Sequence, residues 1–175
     1  MRVYLAGTAA VLADALRTGQ LPADLPVHAV TPALREWFTE GDTEELEFQA
    51  MLEAATSSLR LLAADPGSPA RRLVLAADVP DAQARPAAVA PGEEGSSSVH
   101  LAAAVPLSAV VSAHVDEAEA EGDVRAAVQA LPAADAGDDD AQFTVDGAEG
   151  NDLLWYDATE LADLAGELTG GSAPS

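Results

Sequence analysis

Apolar and polar positions change period several times along the chain, and each change marks an element. Residues 2–6 (RVYLA) read as a strand, and Thr8 then caps a helix over 9–18 whose Val11, Leu12 and Leu16 share one face, closed by Gly19. A secretory signal core is the alternative for this apolar start, but Gly7, Thr8 and Asp14 interrupt it and favour strand-then-helix. Val27–Val30 is a short strand. Thr31 and Pro32 supply an N-cap and a first helical position for Ala33, Leu34, Trp37 and Phe38, which follow at helical spacing as core anchors.

The next segment, 41–65, opens with Asp42, Glu44, Glu45 and Glu47 and then turns apolar. Asp42 followed by Glu45 has capping-box spacing, and acids in a first turn suit the positive end of the helix dipole. Phe48, Met51, Leu52, Ala55, Leu59 and Leu62 recur at helical spacing and predict one continuous buried stripe. Glu47 and Glu53 lie off that stripe and about 120° apart at 100° per residue, so they cannot share an ion. These acids begin a helix.

Beyond a turn at 65–72, LVLAADV (73–79) is apolar enough for a central strand. Residues 80–98, rich in Pro, Ala, Gly and Ser, read as an exposed mobile loop. SVHLAAAV (98–105) and AVVSAHV (109–115) predict a strand pair joined through Pro106 and Leu107. Residues 117–131 are helical with Val124, Ala127, Val128 and Leu131 inward, 138–150 read as irregular and acidic, and DLLWYD (152–157) is a last strand before a short helix from Thr159. The expected fold is α/β (α+β): a single mixed β-sheet with helices packed on it, of ferredoxin-like character, in one domain over 1–168 with a loose tail at 169–175.

Composition sharpens this picture mainly by exclusion. The 175 residues contain no cysteine, which removes disulfides, thiolate metal sites and cysteine nucleophiles and suits a reducing cytoplasm. With 40 Ala and no Ile, the core must be Leu and Val, with Ala permitting close helix–sheet approach. Lysine is absent too, so a Schiff base is impossible. No apolar run approaches the ~20 residues of a membrane span. The formal net charge of −22 disfavours direct binding to nucleic acid or anionic membranes, leaving solubility, salt adaptation or docking onto a basic partner.

Candidate chemistry is sparse. Counted from Asp138, the run DDDAQFTVDGAE places Asp138, Asp140, Gln142, Thr144, Asp146 and Glu149 where an EF-hand loop holds its calcium ligands. Phe143, however, stands where that loop needs glycine, so the plainer reading is an acidic surface loop with Phe143 turned inward. His28, His100 and His114 each fall in a predicted strand and would form a zinc site, with Asp116 beside His114, only if those strands were neighbours. No nucleophile elbow, phosphate loop or dinucleotide fingerprint is present, and no cofactor is called for. Trp155 and Tyr156, like Trp37 and Phe38, read most simply as core anchors, but they point to opposite faces of a strand, which leaves room for one of them to be exposed. With Asp138, Asp139 and Asp140 they are the candidate protein-docking residues.

The segments MRVYL, VTPALREW, SLRLLAADP, RRLVLAADVPD and DAQFTVDGAEGNDLLWYDATEL resemble an uncharacterised family of short acidic proteins from high-GC Gram-positive bacteria. The likeness covers most of 1–165, outside 80–98 and the tail. It implies a soluble cytoplasmic protein and carries over no catalytic residue. The expectation is a binding or regulatory module that shows an acidic face to a basic protein, with a metal-assisted hydrolase using His114, Asp116 and nearby carboxylates as the alternative.

Overall fold

The computed structural model describes residues 1–170. Its elements are β1 (Arg2–Gly7), α1 (Ala9–Thr18), β2 (Gln20–Leu21), β3 (Val27–Ala29), α2 (Pro32–Trp37), α3 (Thr43–Ala64), β4 (Leu73–Asp78), β5 (Ala84–Pro86), β6 (Ser98–Leu101), β7 (Val105–Pro106), β8 (Val110–Asp116), α4 (Glu121–Asp135), α5 (Asp139–Ala148), β9 (Leu153–Asp157) and α6 (Leu161–Gly170). Seven strands make one antiparallel sheet in the order β5-β6-β3-β1-β4-β8-β9, and β2 pairs with β7 in a separate ribbon. Because β3 and β4 each run antiparallel to β1, they are parallel to one another with β1 between them. With α3 connecting them they form the split β-α-β unit typical of ferredoxin-like folds.

The predicted helix starts carry their caps. Thr8, Thr31 and Asp42 each accept a backbone N–H three residues on, at 3.3, 3.0 and 2.9 Å. Gly19 ends α1 at φ 83°, a left-handed turn that suits glycine, and its N–H reaches the Ala15 carbonyl at 2.7 Å.

Helices cover both faces of the sheet. On one face Leu12, Leu161 and Leu164 from α1 and α6 pack on Val3, Leu5, Leu73, Leu75 and Val115. On the other, α3 lays Leu46, Ala50, Ala54 and Ala55 against Tyr4, Val74 and Ala76, with Leu34 of α2 joining them. The C-terminal turns of α3 pack on a helical hairpin of α4 and α5, where Leu59, Leu62, Val124, Leu131 and Val145 meet.

Five expectations change. Ala55, Leu59 and Leu62 are buried as expected, but the buried stripe of α3 also takes in Leu46, Ala50, Ala54 and Ser58, Met51 and Leu52 are only partly buried, and Phe48 is exposed. Small residues won because α3 lies close to the sheet. Trp37 and Phe38 are not core anchors but surface residues. Trp37 lies over Gly95, where an added Cβ would sit 2.6 Å from its Cγ. The segments 98–105 and 109–115 do not pair: β6 lies between β5 and β3, β8 lies between β4 and β9, and three strands separate them. Within 80–98, residues 84–86 form the edge strand β5, so that segment is not loop throughout. Finally, 138–150 is not irregular. Asp138 caps α5 at 2.9 Å, with Asp139 and Asp140 in its first turn, by the logic that starts α3. Of the expected tail, Thr169 and Gly170 complete α6, and 171–175 lie outside the described residues.

Candidate functional site

Strand alternation puts polar side chains of neighbouring strands in rows on one face, and on the α3 face two such rows stay partly uncovered. Register aligns Tyr4 with Ala76 and Ala76 with Ser112; in the next row Val74 aligns with His114 and His114 with Trp155. Ala76 is the small member between Tyr4 and Ser112, so the sheet surface dips there. Glu44, Glu47, Phe48 and Met51 from the first turns of α3 close the other side of a groove of about 300 Å³, with Arg2 at its end.

Its polar groups are tied together. Arg2 donates to both carboxylate oxygens of Asp78 at 2.7 and 3.2 Å. The Tyr4 hydroxyl reaches Glu47 at 3.5 Å, and burial, reinforced by the Glu47 charge, pushes its pKa up to about 12. Ser112 Oγ and His114 Nε2 lie 3.1 Å apart. Burial, with a smaller contribution from Arg2, lowers the His114 pKa and keeps the ring neutral. Among the described residues no carboxylate hydrogen-bonds His114 Nδ1, so Ser112 and His114 lack the orienting acid of a catalytic triad. Trp155 and Phe48 stand at the rim, 61% and 56% exposed.

The histidines are not brought together. His28, on β3, is buried and accounted for by serines, with Nδ1 2.8 Å from Ser97 Oγ and Nε2 2.8 Å from Ser57 Oγ. The Ser97 hydroxyl donates to Glu53, so Nδ1–H donates to Ser97 and Nε2 accepts from Ser57. Desolvation lowers the His28 pKa against the opposing pull of Glu53, 3.8 Å away, so the ring is neutral and this is no ion pair. His100 is exposed on β6 opposite Arg85. Among the described residues no three His, Asp or Glu side chains are placed to hold a metal ion.

Asp116 is not a ligand in waiting. Fully buried, it accepts the Arg72 backbone N–H at 2.8 Å and a two-pronged guanidinium contact at 2.9 and 2.8 Å. The calcium reading of Asp138, Asp140 and Glu149 also fails, because a loop that must wrap an ion is instead the helix α5. Phe143 is not turned inward but 80% exposed. Trp155 and Tyr156 do face opposite ways, Trp155 to the groove and Tyr156 to the aliphatic core.

Arg2, Tyr4, Glu47, Phe48 and Ser112 were not singled out from the sequence as site residues. One signal could have found four groove residues: Arg2 and Tyr4, like Ser112 and His114, are polar residues two apart in otherwise apolar strands, a spacing that puts each pair on one face.

An antiparallel sheet with helices on both faces and an open polar groove beside α3 make this an α/β protein. The chain belongs to the family of unknown function DUF6912, whose model matches residues 1–165 and therefore includes 80–98. Neither the curated proteins nor the solved structures contain a match to it. No helix among the described residues is long and apolar enough to cross a membrane.

Proposed function

We propose that the protein is a non-enzymatic binding module whose α4–α5 hairpin presents an acidic surface to a basic segment of a partner protein. The observation that carries this is Phe143. It is 80% exposed, and on α5 it is flanked at i−4, i−3 and i+3 by Asp139, Asp140 and Asp146, all of them exposed. An apolar ring inside an anionic rim is the layout of a docking anchor. The wider charge distribution agrees. Residues 114–167 carry sixteen acids against Arg125 alone, and among the described residues only Asp116, Asp135 and Glu167 of these have an arginine within salt-bridge reach. We place the module in the cytoplasm, which a chain without cysteine suits.

The test is titration with a short arginine-rich peptide at low and at moderate salt. Binding weakens as screening rises, and Phe143→Ser weakens it at least tenfold, ~1.4 kcal/mol. Affinity unchanged in both Phe143→Ser and Asp140→Asn would overturn the proposal.

A further inference from the structure

We propose that the groove between α3 and the sheet is a receptor for one arginine side chain of a basic partner, its guanidinium laid on the Trp155 ring and paired with Glu47. The inference rests on the basic-partner reading for the source of the arginine, but the groove is a different surface from the α4–α5 hairpin.

Three observations meet here. First, the space is built in: Ala76 lies between Tyr4 and Ser112 in the strand register and leaves room on the sheet, and five elements contribute its lining. Second, Trp155 and Phe48 are large rings left more than half exposed at the rim. An indole face attracts a cation through its quadrupole, and a planar guanidinium can stack on it where an ammonium cannot. Third, the charge has no direct ion pair. Neither Glu44 nor Glu47 has a cationic partner among the described residues, and Glu47 meets only the weakly held hydroxyl of Tyr4.

The groove's own cation cancels this charge only in part: Arg2 is ion-paired with Asp78 at 2.7 Å and feels Glu47 more weakly, without a salt bridge to it. His114 adds none, since burial keeps it neutral. A carboxylate beside an aromatic ring offers an arginine two parallel hydrogen bonds and a stacking surface together. Lysine, a compact and strongly hydrated charge, gains less from this pairing.

Trp37→Phe leaves Trp155 as the chain's single indole, so its fluorescence reports the groove alone. In that background the ligand is N-acetyl-arginine methylamide, compared with its lysine and citrulline counterparts, the last being a neutral isostere of arginine. The expected result is a saturable change with arginine, at least tenfold weaker with citrulline, weaker with lysine, and about tenfold weaker in Glu47→Gln. Equal responses to arginine and citrulline, a stronger response to lysine, an unchanged Glu47→Gln, or no saturable change would each overturn the assignment. A single blocked arginine does not engage α5, so Phe143→Ser leaves this titration unmoved. Peptide binding that ignores Phe143→Ser and Asp140→Asn, with success here, condemns the hairpin reading alone, and Phe143-dependent peptide binding with no response here condemns the groove.

Discussion

The two faces of the sheet obey different rules. Towards α1 and α6 the strands present Val3, Leu5, Leu73, Leu75, Ala113 and Val115, a dry aliphatic layer whose one demand is to be shielded from water. Towards α3 the same strands present Tyr4, His28, Ser112, His114 and Asp116 among alanines. Each buried polar atom on that side must be answered, and among the described residues none is left without a partner. Ser58 shows how closely: its hydroxyl donates to the Gly7 carbonyl at 2.7 Å and accepts the Leu73 N–H at 3.0 Å, fastening α3 to β1 and β4. The aliphatic face tolerates approximate shape, whereas the polar face depends on particular partners. The groove correspondingly lies where the polar face runs out from under α3.

The largest test of this contrast is Asp116→Ala, which strands the buried Arg72 guanidinium and should cost about 3–5 kcal/mol in a urea melt. Replacing both residues with apolar ones of similar volume should recover most of that loss; if the single variant is near neutral, the polar face is not partner-dependent. On the aliphatic face, Leu75→Ala should cost about 3 kcal/mol through lost burial and the cavity left behind. A companion Leu75→Met, which keeps the volume, should cost less than about 1.5 kcal/mol, and an equal cost for both would refute the approximate-shape rule.

The smallest effect is a pH dependence confined to the polar face. Burial lowers the pKa of His28 and of His114 below the ordinary 6.5. As pH falls, the unfolded chain therefore takes up protons first. The stability due to the neutral rings is full above 6.5 and is lost as pH drops from there towards the depressed folded values. The carboxylates with lowered pKa, Asp78, Asp135 and Asp157 from 3.8 and Glu94 from 4.5, titrate below this window. Stability measured from pH 7 to pH 5 should fall less steeply in His28→Gln than in the parent chain. An unchanged slope would show that His28 does not contribute.

Much of the fold was readable in advance because capping and periodicity are local. Thr8, Thr31 and Asp42 mark their helices by side-chain chemistry that acts within three residues. The failures were non-local or came from uneven use of the same rule. Asp138 caps α5 as Asp42 caps α3, but an acid-rich run reads as a loop when metal-ligand spacing competes for attention. Phe48 outweighs Ala50 and Ala54 in a hydrophobic pattern, whereas helix–sheet spacing rewards the small residues. Nothing local told β6 and β8 that β3, β1 and β4 would lie between them, and the zinc reading fell with that pairing. The groove was half visible: His114 and Trp155 were named, while Arg2, Tyr4 and Glu47 join them only through strand register.

The strand order also governs how the chain is made. β1 is synthesised before the other strands of its sheet yet occupies the sheet's interior, and its Arg2 meets Asp78 from a point 76 residues further along. Until β4 emerges, one long side of β1 offers unpaired backbone groups, the kind of edge on which nascent chains stick to one another. Pairings this distant in sequence also close slowly. A net charge of −22 sets neighbouring copies repelling one another throughout that interval. On this view part of the acidity serves biogenesis, protecting the unfinished sheet before any partner is met.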